Sequence, residues 1–205
     1  MPATGLRALI ETRVEERLGG RFPAPLGWRQ RAAAQTAPTG IPEVDALTGG
    51  LPRGALTELS GPASSGRTAL LLSLLAEFTR RQELCALVDA GDSFDPASAE
   101  AAGIELSRLL WVRCNPGTAA LRCVEQALRA ADLLLSAGGF GLVALDLGDV
   151  LPATARRIPL TSWFRFRRAV EETPTALLLL TQEAVTGTCA ALTLQLEAAV
   201  PAATA

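Results

Sequence analysis

The sequence predicts an α/β domain, a mainly parallel sheet flanked by helices. Three observations lead there. Short, nearly continuous apolar runs of strand length recur along the chain, the pattern of strands buried on both faces. Segments with helical spacing of apolar residues lie between them, as right-handed crossover connections require. A chain of 205 residues, 49% hydrophobic and 20% charged, buries a full core without disulfide staples.

In chain order, residues 5–18 place Leu6, Leu9, Ile10, Val14 and Leu18 at helical spacing, with Arg and Glu on the other face. Residues 1–18 therefore read as an N-terminal amphipathic helix, able to dock on its own core or on a partner. "GGRFPAPLGWRQRAAAQTAPTG" (19–40) is rich in Gly, Pro and Ala without a sustained period, so 19–38 is read as a linker and 39–205 as the core domain.

Within the core, "IPEVDALTGG" is a short helix closed by glycines. "ALTELS" (55–60) is the first long strand and "TALLLSLLAEFTRR" (68–81) the apolar helix after it. Strands are then expected at 84–90, 108–113, 140–146, 175–182 and 189–198. The helices between them are expected at 96–103, 118–136 and within 152–172.

Composition removes several kinds of function. All 19 basic residues are Arg, and His is absent, so Ser-His-Asp catalysis and His-based metal sites are excluded. A net charge of −2 supplies no global field for nucleic acid. Cys85, Cys114, Cys123 and Cys189 lack C-x-x-C spacing and read as buried small apolar residues of a reducing compartment. The start of the chain becomes charged at once, without a signal-peptide pattern, and the longest apolar run, "ALLLL" (176–180), is too short for a bilayer. The expected location is cytoplasmic, with no membrane partner.

The segment "GPASSGRT" (61–68) fits the phosphate-cradling pattern G-x-x-x-x-G-K-[ST] except at Arg67, and it stands where that pattern works, between a strand and a helix. Gly61 and Gly66 supply backbone freedom, and successive N–H groups around Ser64 and Ser65 converge at a helix N-terminus. Thr68 is placed to ligate magnesium. The apolar strand ending in Asp146 is the partner such a loop needs beside it to hold the magnesium's water shell.

"TGIPEVDALTGGLPRGALTELSGPASSGRT" (39–68) resembles the opening of the RecA-type recombinase core, where T-G-x-x-x-x-D-x-x-x-G-G-x-P-x-G leads into a G-P-x-S-S-G-K-T loop. "LCALVDAGDSFDPASAEAAGI" (84–104) resembles the next strand and loop, and the likeness extends from about 39 to 198. Within the group, "GGLPRGALTEL" (49–59) is closest to the ImuA type, accessory proteins of damage-induced mutagenesis found with the Y-family-polymerase-like ImuB. The resemblance implies a RecA-like P-loop NTPase core. It also implies RecA and an ImuB-type protein as partners in the SOS response and translesion synthesis.

The same resemblance marks departures. The recombinase's water-polarising glutamate falls on Gly91, with Asp92 and Asp95 nearby as possible substitutes or merely solvated loop acids. Its adenine-stacking tyrosine falls on Ser98, and its lysine on Arg67, in a chain that uses no lysine at all. Gln182 matches the glutamine that senses the γ-phosphate. The two DNA-binding loops shrink to "LGDVLPAT" (147–154) and "EAVTG" (183–187). One basic-aromatic stretch remains, "RRIPLTSWFRFRR" (156–168). Helical spacing puts Trp163, Phe166 and Val170 on a core face with the arginines solvated; a protein interface or a stacking surface for nucleic acid are the alternatives.

These departures favour a non-catalytic accessory protein with a vestigial nucleotide site, no resident cofactor beyond weak ATP and magnesium binding, and filament-type DNA binding stripped of its main contacts. Two other readings stay open. One is an active ATP-dependent recombinase or ATPase of the same superfamily; the other is a regulator that caps RecA filaments.

Overall fold

The computed structural model describes residues 35–114 and 120–198. The described residues belong to one unit, Ala34–Ala205, divided from Met1–Ala33. The amphipathic helix expected at 5–18 and nearly all of the 19–38 linker lie outside the described residues.

The second unit runs β1 (Thr36–Ala37), α1 (Pro42–Thr48), β2 (Leu51–Pro52), β3 (Ala55–Ser60), α2 (Arg67–Arg80) and β4 (Cys85–Asp89). It continues through α3 (Pro96–Ala101), β5 (Leu109–Arg113), α4 (Ala120–Ala137), β6 (Leu142–Asp146), α5 (Pro152–Ala155), α6 (Leu160–Val170), β7 (Ala176–Thr181) and β8 (Leu192–Gln195). Six strands form one sheet in the order β5-β4-β6-β7-β3-β8, and every neighbouring pair is parallel. The expected parallel α/β sheet is observed.

Three expectations needed adjustment. Thr36 and Ala37 pair antiparallel with Pro52 and Leu51, so ordered pairing starts ahead of residue 39. The single helix expected within 152–172 is two, because Pro159 interrupts it and caps α6. The strand expected at 189–198 is shorter: Gly187–Cys189 is a 3-10 turn, and only Leu192–Gln195 pairs.

Alternate residues of the central strands feed two cores, one on each face. Leu56, Val88, Val143, Leu145, Leu177 and Leu179 pack with Val124 and Ala127 of α4 and with Trp163 and Phe166 of α6. Leu59, Leu87, Leu142, Ala144, Leu178 and Leu180 pack on the other face with Leu70, Leu71, Leu74 and Phe78 of α2. The expected core face of α6 is observed: Trp163 and Phe166 are fully buried and meet edge-on at 6.0 Å. All four cysteines are buried thiols.

The T-G-x-x-x-x-D-x-x-x-G-G signature turns out to be a docking device for the chain entering the core. The Thr39 N–H donates to Asp45 Oδ1 at 2.8 Å, and the Ser73 hydroxyl of α2 donates to the Thr39 carbonyl at 3.0 Å. Gly50 has φ +96°, and a Cβ there would lie 2.6 Å from the Ala37 carbonyl oxygen. The β1–β2 ribbon closes only over a glycine.

Candidate nucleotide site

The candidate site lies at the carboxyl ends of β3, β4, β6 and β7, where ligands of parallel α/β sheets bind. Parallel pairing sets Asp89 beside Asp146 and Ser60 beside Thr181 at the strand ends. From there the chain enters the loop at 61–66, the turn at 147–150 and Gln182.

The loop has the geometry of a phosphate cradle. Ser64 and Gly66 take left-handed φ values of 61° and 95°, which wraps the backbone before α2 begins at Arg67. The Gly61 N–H bonds the Thr181 carbonyl at 3.3 Å, tying the loop to β7. A Cβ on Gly61 would lie 2.6 Å from both the Leu196 carbonyl oxygen and Ser65 Oγ, so this glycine is required by close approach. Thr68 is exposed on the first turn of α2. When magnesium nucleotide is bound, the loop N–H groups and Arg67 would hold phosphate, and Thr68 and Asp146 the metal, whose chemistry is to neutralise phosphate charge.

Arg67, Asp146 and Gln182 meet on one residue, Gly148. Both terminal nitrogens of Arg67 donate to the Gly148 carbonyl at 3.4 Å, and Gln182 Nε2 donates to the same oxygen at 3.0 Å. The Gly148 N–H donates to Asp146 Oδ1 at 2.7 Å. A Cβ at 148 would sit 2.9 Å from both Arg67 and Asp146, so a larger residue there would push the Arg67 guanidinium off this contact.

Asp146 is pushed up to about 6, first by burial at the strand end and then by Asp89 and Asp149, against the lowering effect of the Gly148 N–H and Arg67. A carboxyl whose folded pKa is raised binds its proton more tightly when folded. Stability therefore falls as pH rises from about 4 to about 6, and the loss is complete above that window. Asp146→Asn is expected to raise the Tm at pH 7.5 and to leave it nearly unchanged at pH 3.5, as thermal unfolding at the two pH values will register.

The two acids considered as stand-ins for the missing glutamate are used elsewhere. Asp92 pairs with Arg113 at 2.6 and 2.7 Å, and that hydrogen bond holds its carboxyl below the usual range. Asp95 caps α3, accepting from the Ser98 hydroxyl at 2.5 Å and from the Ser98 N–H at 2.9 Å, and is likewise held low. Ser98, at the position of the adenine-stacking tyrosine, thus serves the cap.

Position 91 itself is filled from another loop. A Cβ on Gly91 would lie 2.5 Å from Asp149 Oδ2 and 3.0 Å from Asp149 Cβ. An acid from the turn after β6 covers the place where a side chain at 91 would begin. Sequence reading missed Asp149, because only the folded chain brings residues 58 positions apart together. It also missed Asp89, fully buried, whose Oδ2 accepts from the Phe94 N–H at 2.9 Å and Trp111 Nε1 at 3.2 Å.

Glu58 is the third omission. Fully buried in β3, it accepts from the Val185 N–H at 2.6 Å, the Thr186 hydroxyl at 2.5 Å and the Thr186 N–H at 3.3 Å. The loop at 183–187, where the recombinase has a mobile DNA-binding loop by the resemblance, is pinned to β3 inside the sheet. An isolated Glu within "ALTELS" carried one signal: a charge in a run that must be buried needs partners.

The arginines of 156–168 are largely neutralised. Arg156 pairs with Glu183, Arg165 with Asp132 at 2.9 Å and Arg167 with Glu171 at 3.3 Å. Of the three aromatic residues there, Phe164 alone is exposed.

The family model for the RecA N-terminal domain matches residues 7–155. The chain belongs to that family. Its relatives include Protein RecA of Lactobacillus acidophilus, 35% identical over 136 residues, which are 65% of this chain and 36% of that protein. Protein RecA of Prochlorococcus marinus strain MIT 9303 is 38% identical over 124 residues, 60% of this chain and 33% of that protein. Protein RecA of Leifsonia xyli subsp. xyli is 34% identical over 149 residues, 71% of this chain and 40% of that protein. The chain thus spans well under half the length of these relatives. The six-stranded parallel sheet with its loop at 61–68 is the RecA-like core that this membership implies. Among the described residues no helix is long and apolar enough to cross a membrane.

Proposed function

We propose that this RecA-family chain is a non-catalytic accessory protein of the DNA damage response. It acts through protein contacts with a RecA recombinase, an ImuB-type polymerase-like protein, or both, during translesion synthesis in the cytoplasm. The observation that carries this reading is the convergence of Arg67 and Gln182 on the Gly148 carbonyl. The groups that would answer a γ-phosphate answer a peptide group of the protein instead. The pinned 183–187 loop and the neutralised arginines of 156–168 add to it, since both weaken filament-type DNA binding.

Asp149 over Gly91 favours a second reading, an ATPase whose acid has moved to another loop. Co-precipitation of full-length protein with purified recombinase and with the polymerase-like protein tests the first. Retention of at least one partner is expected without added nucleotide; retention of neither contradicts the reading. Retention of the recombinase alone would identify a filament-capping regulator.

A further inference from the structure

Resting on the non-catalytic reading, we propose that the turn at 147–150 is an autoinhibitory latch on the phosphate loop. Arg67 and Gln182 hold it shut through the Gly148 carbonyl, with Asp149 against Gly91, so that the loop takes a phosphate only when the turn is displaced.

Three independent contacts join this turn to the site. Arg67, the cation of the loop, is drawn across to the Gly148 carbonyl and must leave it to meet a phosphate. Gln182 holds the turn from β7 through the carbonyls of Gly148 at 3.0 Å and Val150 at 3.4 Å. Asp149 then lies against Gly91, in a space no side chain at 91 contests. Position 91 is a glycine, and the turn places a carboxylate beside it.

The charges act in the same direction. Asp146 experiences Asp89 and Asp149 as like charges and Arg67 as the opposing one. A polyphosphate entering the loop must break the Arg67–Gly148 contact in a place where these acidic side chains oppose it. The loop keeps the backbone shape of an anion site, and the turn withholds it.

Calorimetric titration of magnesium–ATP, and separately of pyrophosphate, into full-length wild type, Asp149→Asn and Asp149→Ala tests the latch, with phosphate release measured on the same samples. Both variants are expected to bind roughly tenfold or more tighter than wild type, with no hydrolysis by any of the three. Affinity no tighter in the variants, including no binding by any, would overturn the latch and leave the non-catalytic reading standing. Hydrolysis by wild type that Asp149→Asn abolishes would overturn both and make Asp149 the relocated acid.

Discussion

Glu58→Ala lowers the Tm by roughly 10 °C, the largest loss expected from a single polar side chain in this protein. The carboxylate is fully buried and accepts two backbone N–H groups and the Thr186 hydroxyl, with the Thr181 hydroxyl at 3.5 Å. Removing it leaves those donors buried without acceptors, at about 1–3 kcal/mol for each unsatisfied group and about 3–5 kcal/mol for the cluster. Glu58→Gln keeps the shape but turns an amide donor toward one of the N–H donors, so about half the loss is expected. Thermal unfolding followed by circular dichroism measures both. Hydrogen exchange at residues 183–187 should accelerate in the alanine variant well before the rest of the sheet responds. An unchanged loop would mean that the carboxylate is not what holds it.

Trp163→Ala is expected to cost about 3–5 kcal/mol, because the indole is fully buried between the sheet and α4 and the cavity cannot collapse without moving α6. Trp163 Nε1 makes no hydrogen bond among the described residues, so Trp163→Phe loses little beyond volume and should stay within about 1.5 kcal/mol. Denaturant unfolding separates the two. The pair also decides what the 156–168 stretch is for. A stacking surface for nucleic acid predicts a folded alanine variant with altered DNA binding, whereas a core residue predicts a destabilised one.

Much of this architecture was legible because parallel sheets write themselves in apolar runs. "ALTELS", "LCALVDA", "FGLVALD" and "TALLLLTQ" each hold a strand of the central sheet, and each is buried on both faces. The edge strand β8 was overextended because its half-exposed residues carry no such run, and the 3-10 turn before it has no periodic signal. The loop at 61–66, Asp146 and Gln182 were legible because they belong to local motifs. Glu58, Asp89 and Asp149 were not, since their roles arise from pairings across strands and loops far apart in sequence. Asp92 and Asp95 show the converse: two acids beside the right position, one used by Arg113 and the other by a helix cap.

The central claim is that the site does not turn over nucleotide, and ATP hydrolysis by full-length protein tests it most directly. Phosphate release would be followed with magnesium, with and without single-stranded DNA, for wild type and Asp146→Ala. The account predicts release at the protein-free background in all four conditions. DNA-stimulated release by wild type, lost in Asp146→Ala, would contradict it.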